Sequence, residues 1–440
     1  RRTSVVMEKI IQQDAAFDSS VLFETNLGRT NDPVGNSLIT GGPPRLVEES
    51  LSTRAGIRKT GRHGTALDLS QELGLLDSNS DFFDPPRQGN SRLNLSLTQP
   101  LLSRGGRVYN ERLLTQARID SSVSWQDMRG EVEQRIADVI AAYWGLYELR
   151  CQLLQQTQLL KRGERIEAIV KARRDFDAGR IELAKARQRV ARRIDRQLQV
   201  TADVERQQTR LASLVGAEEL IGPDGALELI PLESPIFPNI ELNLRDAVLQ
   251  GIENRPEVRA ATAELESAAL SIRVTRAELT PQLTAVVDTY LMGLNGNYNV
   301  VQSFTDQFTT GGPGIAAGLL YEVPYGRRAA KSRYREAHFL YQQRSEELRE
   351  TIQLTRAEIE TSLIDVKTEM AQQGTKHKLL TTAIEEEDVL TRRWEMMGGD
   401  GAAVGTVLEN LLDAQQRRTE AEREWITAQT QYLISLVELQ

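Results

Sequence analysis

From Arg107 to about Arg174 the chain carries no proline and few glycines, and at that length only a helix accommodates it. Unbroken, such a segment extends on the order of 100 Å at ~1.5 Å per residue. A helix that long cannot bury its surface against a compact core, so its contacts must run along its length. Seams of that kind occur in three places. Val190, Ile194, Gln197, Thr201, Val204, Gln208, Leu211 and Val215 step alternately by four and three. So do Val258, Ala261, Leu265, Ala268, Ile272, Thr275 and Leu279. A third seam runs Val407, Leu411, Ala414, Arg418, Ala421, Trp425, Ala428, Tyr432, Ser435 and Leu439. The spacing is that of a coiled coil, yet Ala, Thr, Gln and Ser hold many seam positions. Weak seams suit helices laid side by side in a wall with water on one side, and such a wall closes into a tube.

Composition narrows the class. Aromatics are 5% of the 440 residues and charged residues 26%, which suits long helices and leaves little for a large globular core. A net charge of −8 argues against nucleic acid as a partner. Cys151 stands alone, which allows neither an internal disulfide nor a cysteine metal site. The longest apolar run, VIAAYWGLY at 139–147, is half of what a membrane-spanning helix requires. The opening RRTSVVMEKIIQQ reads as the end of a helix already under way. The natural start is therefore expected upstream, and the lack of a targeting signal carries no information.

Short alternating stretches feed the helices. In residues 92–101 Leu93, Leu95, Leu97 and Leu101 oppose Asn94, Ser96 and Thr98. Ile315, Ala317, Leu319, Tyr321, Val323 and Tyr325 oppose Gly318 and Glu322. Leu283, Ala285, Val287 and Leu291 oppose Thr284, Asp288 and Tyr290, and Val21, Phe23 and Leu27 oppose Glu24 and Asn26. A period of two with one apolar face predicts half-buried strands. Two arrangements satisfy that pattern: an antiparallel sheet over a soluble core, or a transmembrane barrel whose apolar face meets lipid. Strands of about ten residues cross a bilayer when tilted, and Tyr321 and Tyr325 suit an interfacial aromatic girdle. The helical wall favours the barrel. Four strands cannot close one, since about eight is the smallest number seen, and open edges are not tolerated in lipid, so the reading requires association.

The passages LNLSLTQPLLSRGGR (93–107) and GIAAGLLYEVPYGRR (314–328) anchor a duplication. In each half a strand, an outer loop, a strand, a proline turn, a long helix, a glycine turn and a returning helix follow in order. Pro100 and Pro324 are expected to end the strand ladders. Gly105 and Gly106, or Gly326, then turn the chain from strand into helix. The expected segments are the end of a helix at 1–18; strands 1 and 2 within 19–102, around a long loop at 29–90; and a helical hairpin at 103–215. A proline-rich equatorial segment at 216–245 and a helix at 246–280 follow. Strands 3 and 4 lie within 281–325, around a loop at 295–312, and a second helical hairpin spans 326–440. Within the first loop, AGIRKTGRHGTALDLSQEL predicts a β-hairpin turning at Gly61 to Gly64.

With these residues in view, the chain resembles the TolC-type outer-membrane factors (the outer-membrane efflux protein family). The matching stretches are ENRPEVRAATAELESAALSIRVTRAELTPQL at 253–283, TQPLLSRGGR, EVPYGRRAAKSRYREA, the tip FDAG at 176–179 and VLENLLDAQQRRTEAE…YLISLVEL. The resemblance covers nearly the whole chain. It implies a mixed α and β membrane protein acting as a homotrimer. Four strands per chain would form a shared 12-stranded outer-membrane barrel, continuing into a coiled-coil helical barrel in the periplasm. It implies a passive exit duct for efflux or type I secretion, with a periplasmic adaptor and an inner-membrane pump as partners and outer-membrane lipid around it. The competing reading is a non-enzymatic coiled-coil scaffold of the cell envelope. An adaptor is a poorer fit, because it would have one helical hairpin rather than two.

The resemblance also nominates residues. Glu409, Asn410 and Asp413 fall where relatives ring the closed aperture with acid. Phe176, Gly179, Arg180, Trp394 and Gly399 fall at the tips that meet an adaptor. The second tip, MMGGDGAAVG, is longer than is usual in the family, and the first is basic, with Arg180, Lys185 and Arg187. Arg327 and Arg328 could anchor at the inner-leaflet interface. No catalytic constellation, cofactor motif or metal site is expected. His63, His338 and His377 are isolated, GRRAAKS at 326–332 lacks the second glycine of a phosphate loop, and IEEED at 384–388 reads as a solvated helix face.

Overall fold

A computed structural model of the protein describes residues 2–172, 180–217, 220, 228–237, 243–396 and 401–439. In chain order the elements are α1 (Arg2–Asp14), β1 (Ser19–Pro33), β2 (Arg45–Thr60), β3 (Ala66–Ser78), β4 (Arg87–Pro100), α2 (Arg107–Asn110) and α3 (Arg112–Ala172). Then come α4 (Arg180–Val215), α5 (Leu244–Asn254), α6 (Pro256–Glu278), β5 (Gln282–Gly296), α7 (Val300–Thr309), β6 (Gly314–Glu322), α8 (Arg328–Met396) and α9 (Gly401–Leu439). They divide between two compact units: Arg1–Asp127 with Arg259–Thr351, and Met128–Val258 with Ile352–Gln440.

The first unit holds a single antiparallel sheet whose six strands lie side by side in chain order. Four strands were expected, so the count is corrected to six. The supposed loop at 29–90 contains β2 and β3. Their hairpin turns where Gly61 N donates to Thr65 O at 2.7 Å and Gly64 N to Gly61 O at 2.8 Å. The hairpin expected at Gly61 to Gly64 is therefore present, but not its length: Glu48, Glu49, Arg54, Arg58 and Lys59 interrupt the alternation of β2, leaving Val47, Leu51, Ala55 and Ile57 as a sparse apolar face. Continuous pairing aligns Val21, Ile57, Leu69, Leu95, Thr289 and Ile315 in one row across all six strands. The loop expected at 295–312 carries α7, opened by Asn299, whose side chain accepts from Gln302 N.

The single helix expected at 246–280 is two helices. Asn243 caps α5 by accepting from Arg245 N at 3.1 Å. Arg255 then takes an extended conformation, as a residue before proline does, and Pro256 opens α6.

In the second unit α9 meets residues of α3, α4 and α8. Val407, Leu411, Ala414, Ala421, Ala428, Tyr432 and Ser435 are buried, which is most of the predicted seam. Leu408, Leu412, Gln415, Thr419 and Thr430 are buried as well, so α9 packs on more than one side. The α4 seam shifts slightly: Val190, Val204, Gln208 and Leu211 are buried, but Arg193 and Val200 replace the exposed Ile194 and Val215. A straight helix repeats every 3.6 residues, so a strict 3.5-residue ladder drifts around it. One core joins Ile166, Val170, Leu183, Trp394, Val407 and Leu411, and a second joins Ala142, Leu146, Val204 and Leu211.

Candidate functional site

Two features carry functional information, one in each unit. The first is the sheet. The rows set by the pairing place Val21, Phe23, Leu27, Ile57, Leu69, Leu95, Leu291 and Leu319 on one face. Those near the sheet's edges are fully open, with Leu27 84% and Ile315 72% exposed. The opposite face is polar and cross-linked. Arg58 grips Asp68 Oδ2 through Nε at 3.0 Å and Nη2 at 2.9 Å. Arg54 Nη2 donates to Ser70 Oγ at 2.9 Å, and the Arg92 guanidinium lies 4.3 Å from the Tyr290 ring centre. This face is also crowded. A Cβ on Gly74 would stand 2.2 Å from Asn90 Oδ1, and one on Gly314 would stand 2.4 Å from the Tyr290 ring. Polar side chains thus converge while apolar ones stand open, which reverses the rule for a soluble sheet. Among the described residues β1 and β6 pair on one edge only. Unpaired edges of this length are templates for another chain.

The strand-to-helix turns lie at one end of this sheet. Gly106 (φ 83°) and Gly326 (φ 77°) both take the left-handed backbone, and Arg104 (φ 66°) and Arg327 (φ 48°) adopt it beside them. Gly105 serves by size, because a Cβ there would meet Pro100 O at 2.8 Å. β4 ends at Pro100 as expected, and two backbone bonds tie the turn beyond it to the start of β5: Leu101 N donates to Leu283 O at 2.7 Å and Ser103 N to Pro281 O at 3.1 Å. Pro324 follows β6, and its carbonyl accepts from Arg327 N at 3.3 Å. Arg327 Nη1 donates to Leu279 O at 2.9 Å, so its guanidinium is committed to the end of α6. Gly106 N donates to His63 O at 3.2 Å, which sets the β2–β3 turn beside the helical junction.

The second feature is a ladder of ion pairs between α4 and α9. Lys185 Nζ lies 3.1 Å from Glu409 Oε1, and one turn on Arg189 Nη2 pairs with Asp413 Oδ1. Both acids nominated for the aperture therefore have a cation within the same chain, while Asn410 is exposed between them. One further turn along α4, Arg193 is buried; its Nη1 donates to Leu159 O at 2.8 Å and its Nη2 to Gln415 Oε1 at 3.2 Å. Burial, reinforced by Arg189 and Arg162 nearby, depresses its pKa to about 10. Glu387 is buried too, with Arg162 Nη1 at 3.1 Å and Arg418 Nη1 at 3.0 Å. It belongs to the IEEED run that was expected on a solvated face. The signal was present: Lys185, Arg189 and Arg193 repeat every four residues on α4, as Glu409 and Asp413 do on α9.

The tip candidates divide. Arg180 opens α4 and is exposed, and Arg187 Nε pairs with Glu167 Oε1 at 3.3 Å. Trp394 is only 3% exposed and packs in the Ile166–Leu411 core, so its indole supports the hairpin and is not a surface contact. Phe176, Gly179 and Gly399 lie outside the described residues. His63, His338 and His377 are exposed and far apart in sequence, the last with its ring 5.5 Å from Trp425. Among the described residues no group of three His, Cys, Asp or Glu side chains could hold a metal ion. Burial raises the pKa of the Cys151 thiol.

No family model and no curated protein sequence matches the chain. Solved structures do. A membrane protein from Pseudomonas aeruginosa superposes with a TM-score of 0.67 at 18% identity, covering 100% of this chain and 87% of the other. The Campylobacter jejuni CmeC outer membrane channel gives 0.65 at 12% identity, covering 99% and 80%. The open state of the Neisseria gonorrhoeae MtrE outer membrane channel gives 0.61 at 15%, covering 100% and 83%. Sheet, hairpins and their order in the chain thus follow one shared plan: the protein has the fold of the outer-membrane channels.

Proposed function

We propose that this chain is the outer-membrane exit channel of a tripartite efflux or type I secretion system, a passive duct extending into the periplasm. The observation that carries this reading is the sheet with its apolar side chains open and its polar side chains gathered, on a fold shared with outer-membrane channels. Such a sheet is stable when hydrocarbon covers the open face and water fills the other. Its unpaired edges require other copies. In the homotrimer, six strands from each of three chains make an 18-stranded barrel, within the even numbers such barrels adopt. Tyr321 and Tyr325 then lie in the aromatic girdle nearest the periplasm. Stretches 19–102 and 281–325 supply the barrel wall, and the hairpins within 103–215 and 326–440 supply the tunnel.

The tunnel's aperture is assigned to Glu409, Asn410 and Asp413. With Lys185 and Arg189 pairing the two acids, closure does not bring bare carboxylates together, and the ladder holds α9 against α4. The tip turns bearing Phe176, Gly179, Arg180 and Gly399 are the proposed contacts for a periplasmic adaptor, through which an inner-membrane pump drives export.

Single-channel recording in planar bilayers tests both levels. The purified protein is expected to insert and to conduct weakly or not at all at rest, and Glu409→Gln with Asp413→Asn to raise conductance. If the double variant inserts as a folded trimer and stays at the wild-type level, the aperture lies elsewhere. If the protein never inserts, the channel assignment falls.

A further inference from the structure

Helix α7 is built inside out. Its polar residues face the sheet: Ser303 and Gln307 are completely buried. Ser303 Oγ donates to Gly89 O at 2.6 Å, and Gln307 Oε1 accepts from Ser91 Oγ at 3.0 Å. The Gln71 amide lies 3.4 Å from the same oxygen. Gly293 lets the helix lie this close, since a Cβ there would stand 2.0 Å from Ser303 O. The apolar residues point away from the sheet. Val301, Phe304 and Phe308, spaced three and four apart, are 79%, 43% and 53% exposed, and the two phenyl rings meet edge to face at 5.6 Å. The helix carries one charge, Asp306, whose carboxylate accepts from Asn295 Nδ2 and Gln302 Nε2, both at 2.9 Å.

Which side of the sheet it covers is settled by register. Gln71 shares a row with Leu93 and Leu291, and Ser91 and Gly293 share the next row of that face with Leu73, so α7 lies on the apolar face. It crosses that face at the end of β4 remote from Pro100, where leucine gives way to Gly89, Ser91 and Asn295. In water, turning two phenylalanines and a valine outward while burying a glutamine is unfavourable on both counts. Against lipid both choices are favourable, and the outward residues continue the leucine surface over the part of β4 and β5 that lacks leucine. Aromatic side chains are those enriched at the boundary between hydrocarbon and headgroups.

We infer that α7 is an interfacial helix of the barrel's outer wall, with Val301, Phe304 and Phe308 seated at the headgroup boundary of the leaflet farther from the helical junctions. Its occupant is lipid, and the inference rests on the barrel reading above. The test uses the full-length protein with Cys151→Ser, reconstituted in phosphatidylethanolamine–phosphatidylglycerol vesicles. One nitroxide is attached in turn at Phe304→Cys, Phe308→Cys, Leu95→Cys and Ser96→Cys, and collisions with oxygen are compared with those of a water-soluble nickel chelate. The oxygen-to-nickel ratio at 304 and 308 is expected to fall below that of Leu95, as the headgroup boundary requires, and to exceed Ser96 several-fold. If 304 and 308 follow Ser96 while Leu95 stays oxygen-rich, the helix faces water and only this inference fails. Low collision with both reagents at 304 and 308 means that protein covers the helix, which also overturns it. A nickel-accessible Leu95 overturns the barrel reading and the inference together.

Discussion

The sheet of the first unit and the helical hairpins of the second obey opposite rules. In the sheet, Val21, Leu27 and Ile315 stand open while Ser70, Ser91 and Gln88 are buried. In the hairpins, Leu146, Val170, Val200, Leu411 and Ala414 are buried and the exposed surface is mostly charged or polar. One chain therefore contains two opposite solutions to the same problem, and the difference identifies the solvent each part is built for. The hairpins are organised for water on their outsides, with small and apolar residues between helices. The sheet is organised for a surrounding that does not penalise leucine and does penalise charge. A further contrast is where charge is buried. On the sheet, Arg54, Arg58 and Asp68 gather on the polar face, and the apolar face carries the Arg29–Glu49 and Arg87–Asp77 pairs only at its end remote from Pro100, whereas in the hairpins Arg193 and Glu387 are enclosed between helices, each partnered by groups from other helices.

The largest expected effect lies in that enclosed charge. Glu387→Leu leaves Arg162 and Arg418 without their shared carboxylate, and should destabilise the hairpins by about 3–5 kcal/mol in chemical unfolding. A loss below about 1 kcal/mol would mean that the cluster is open to water. Next, Leu411→Ala in the hairpin core should cost about 2–5 kcal/mol, by lost burial and by the cavity left behind. The equivalent deletion on the sheet, Leu27→Ala, should leave unfolding in detergent nearly unchanged, because its side chain packs on little protein.

The sharpest form of the comparison comes from adding charge to the two sides of one strand. Leu95→Arg on the apolar face of β4 should cost about 2–4 kcal/mol when the protein is unfolded from vesicles. Ser96→Arg, whose row holds Asp68 and Asp288, should change stability by about 0.5 kcal/mol or less. Equal costs would break the assignment of faces. The smallest effect is a pH dependence. Arg193 is held to about 10 in the folded chain, well below an ordinary guanidinium, so the unfolded chain keeps this proton at pH values where the folded chain has begun to release it. Its contribution therefore raises stability as pH climbs above about 10, by up to ~1.4 kcal/mol per pH unit. Relative to Arg193→Met, the wild-type protein should gain stability between pH 10 and 11, measured as the difference in denaturation midpoints.

Much of this organisation was legible in the sequence, and the reasons are physical. The α9 seam could be read because its period of four and three persists over ten positions, and the two strand-to-helix turns because proline and left-handed glycine punctuate them. Strands β4, β5 and β6 showed because their alternation is clean. The β2–β3 turn showed in its glycines but the full length of β2 did not, since a barrel strand needs only a sparse apolar face and its charges pair across strands, as Arg54 and Arg58 do with Asp68. The α4–α9 ladder joins residues more than two hundred positions apart, so local patterning gave each half of it but not their pairing. Glu387 looked like one acid among four on a helix surface; only the approach of α3 and α9 encloses it. Helix α7 lay within the stretch read as a loop at 295–312, and its inverted polarity emerged only when the register showed which side met the sheet.

The central claim is that the open apolar sheet is completed by lipid and by identical chains. Native mass spectrometry of the detergent-extracted protein tests it most directly, by counting chains as the micelle is stripped away. The account predicts three chains of 49.3 kDa, about 148 kDa together, that require detergent to remain in solution. A single 49.3 kDa chain, folded and stable in detergent-free buffer, would contradict it.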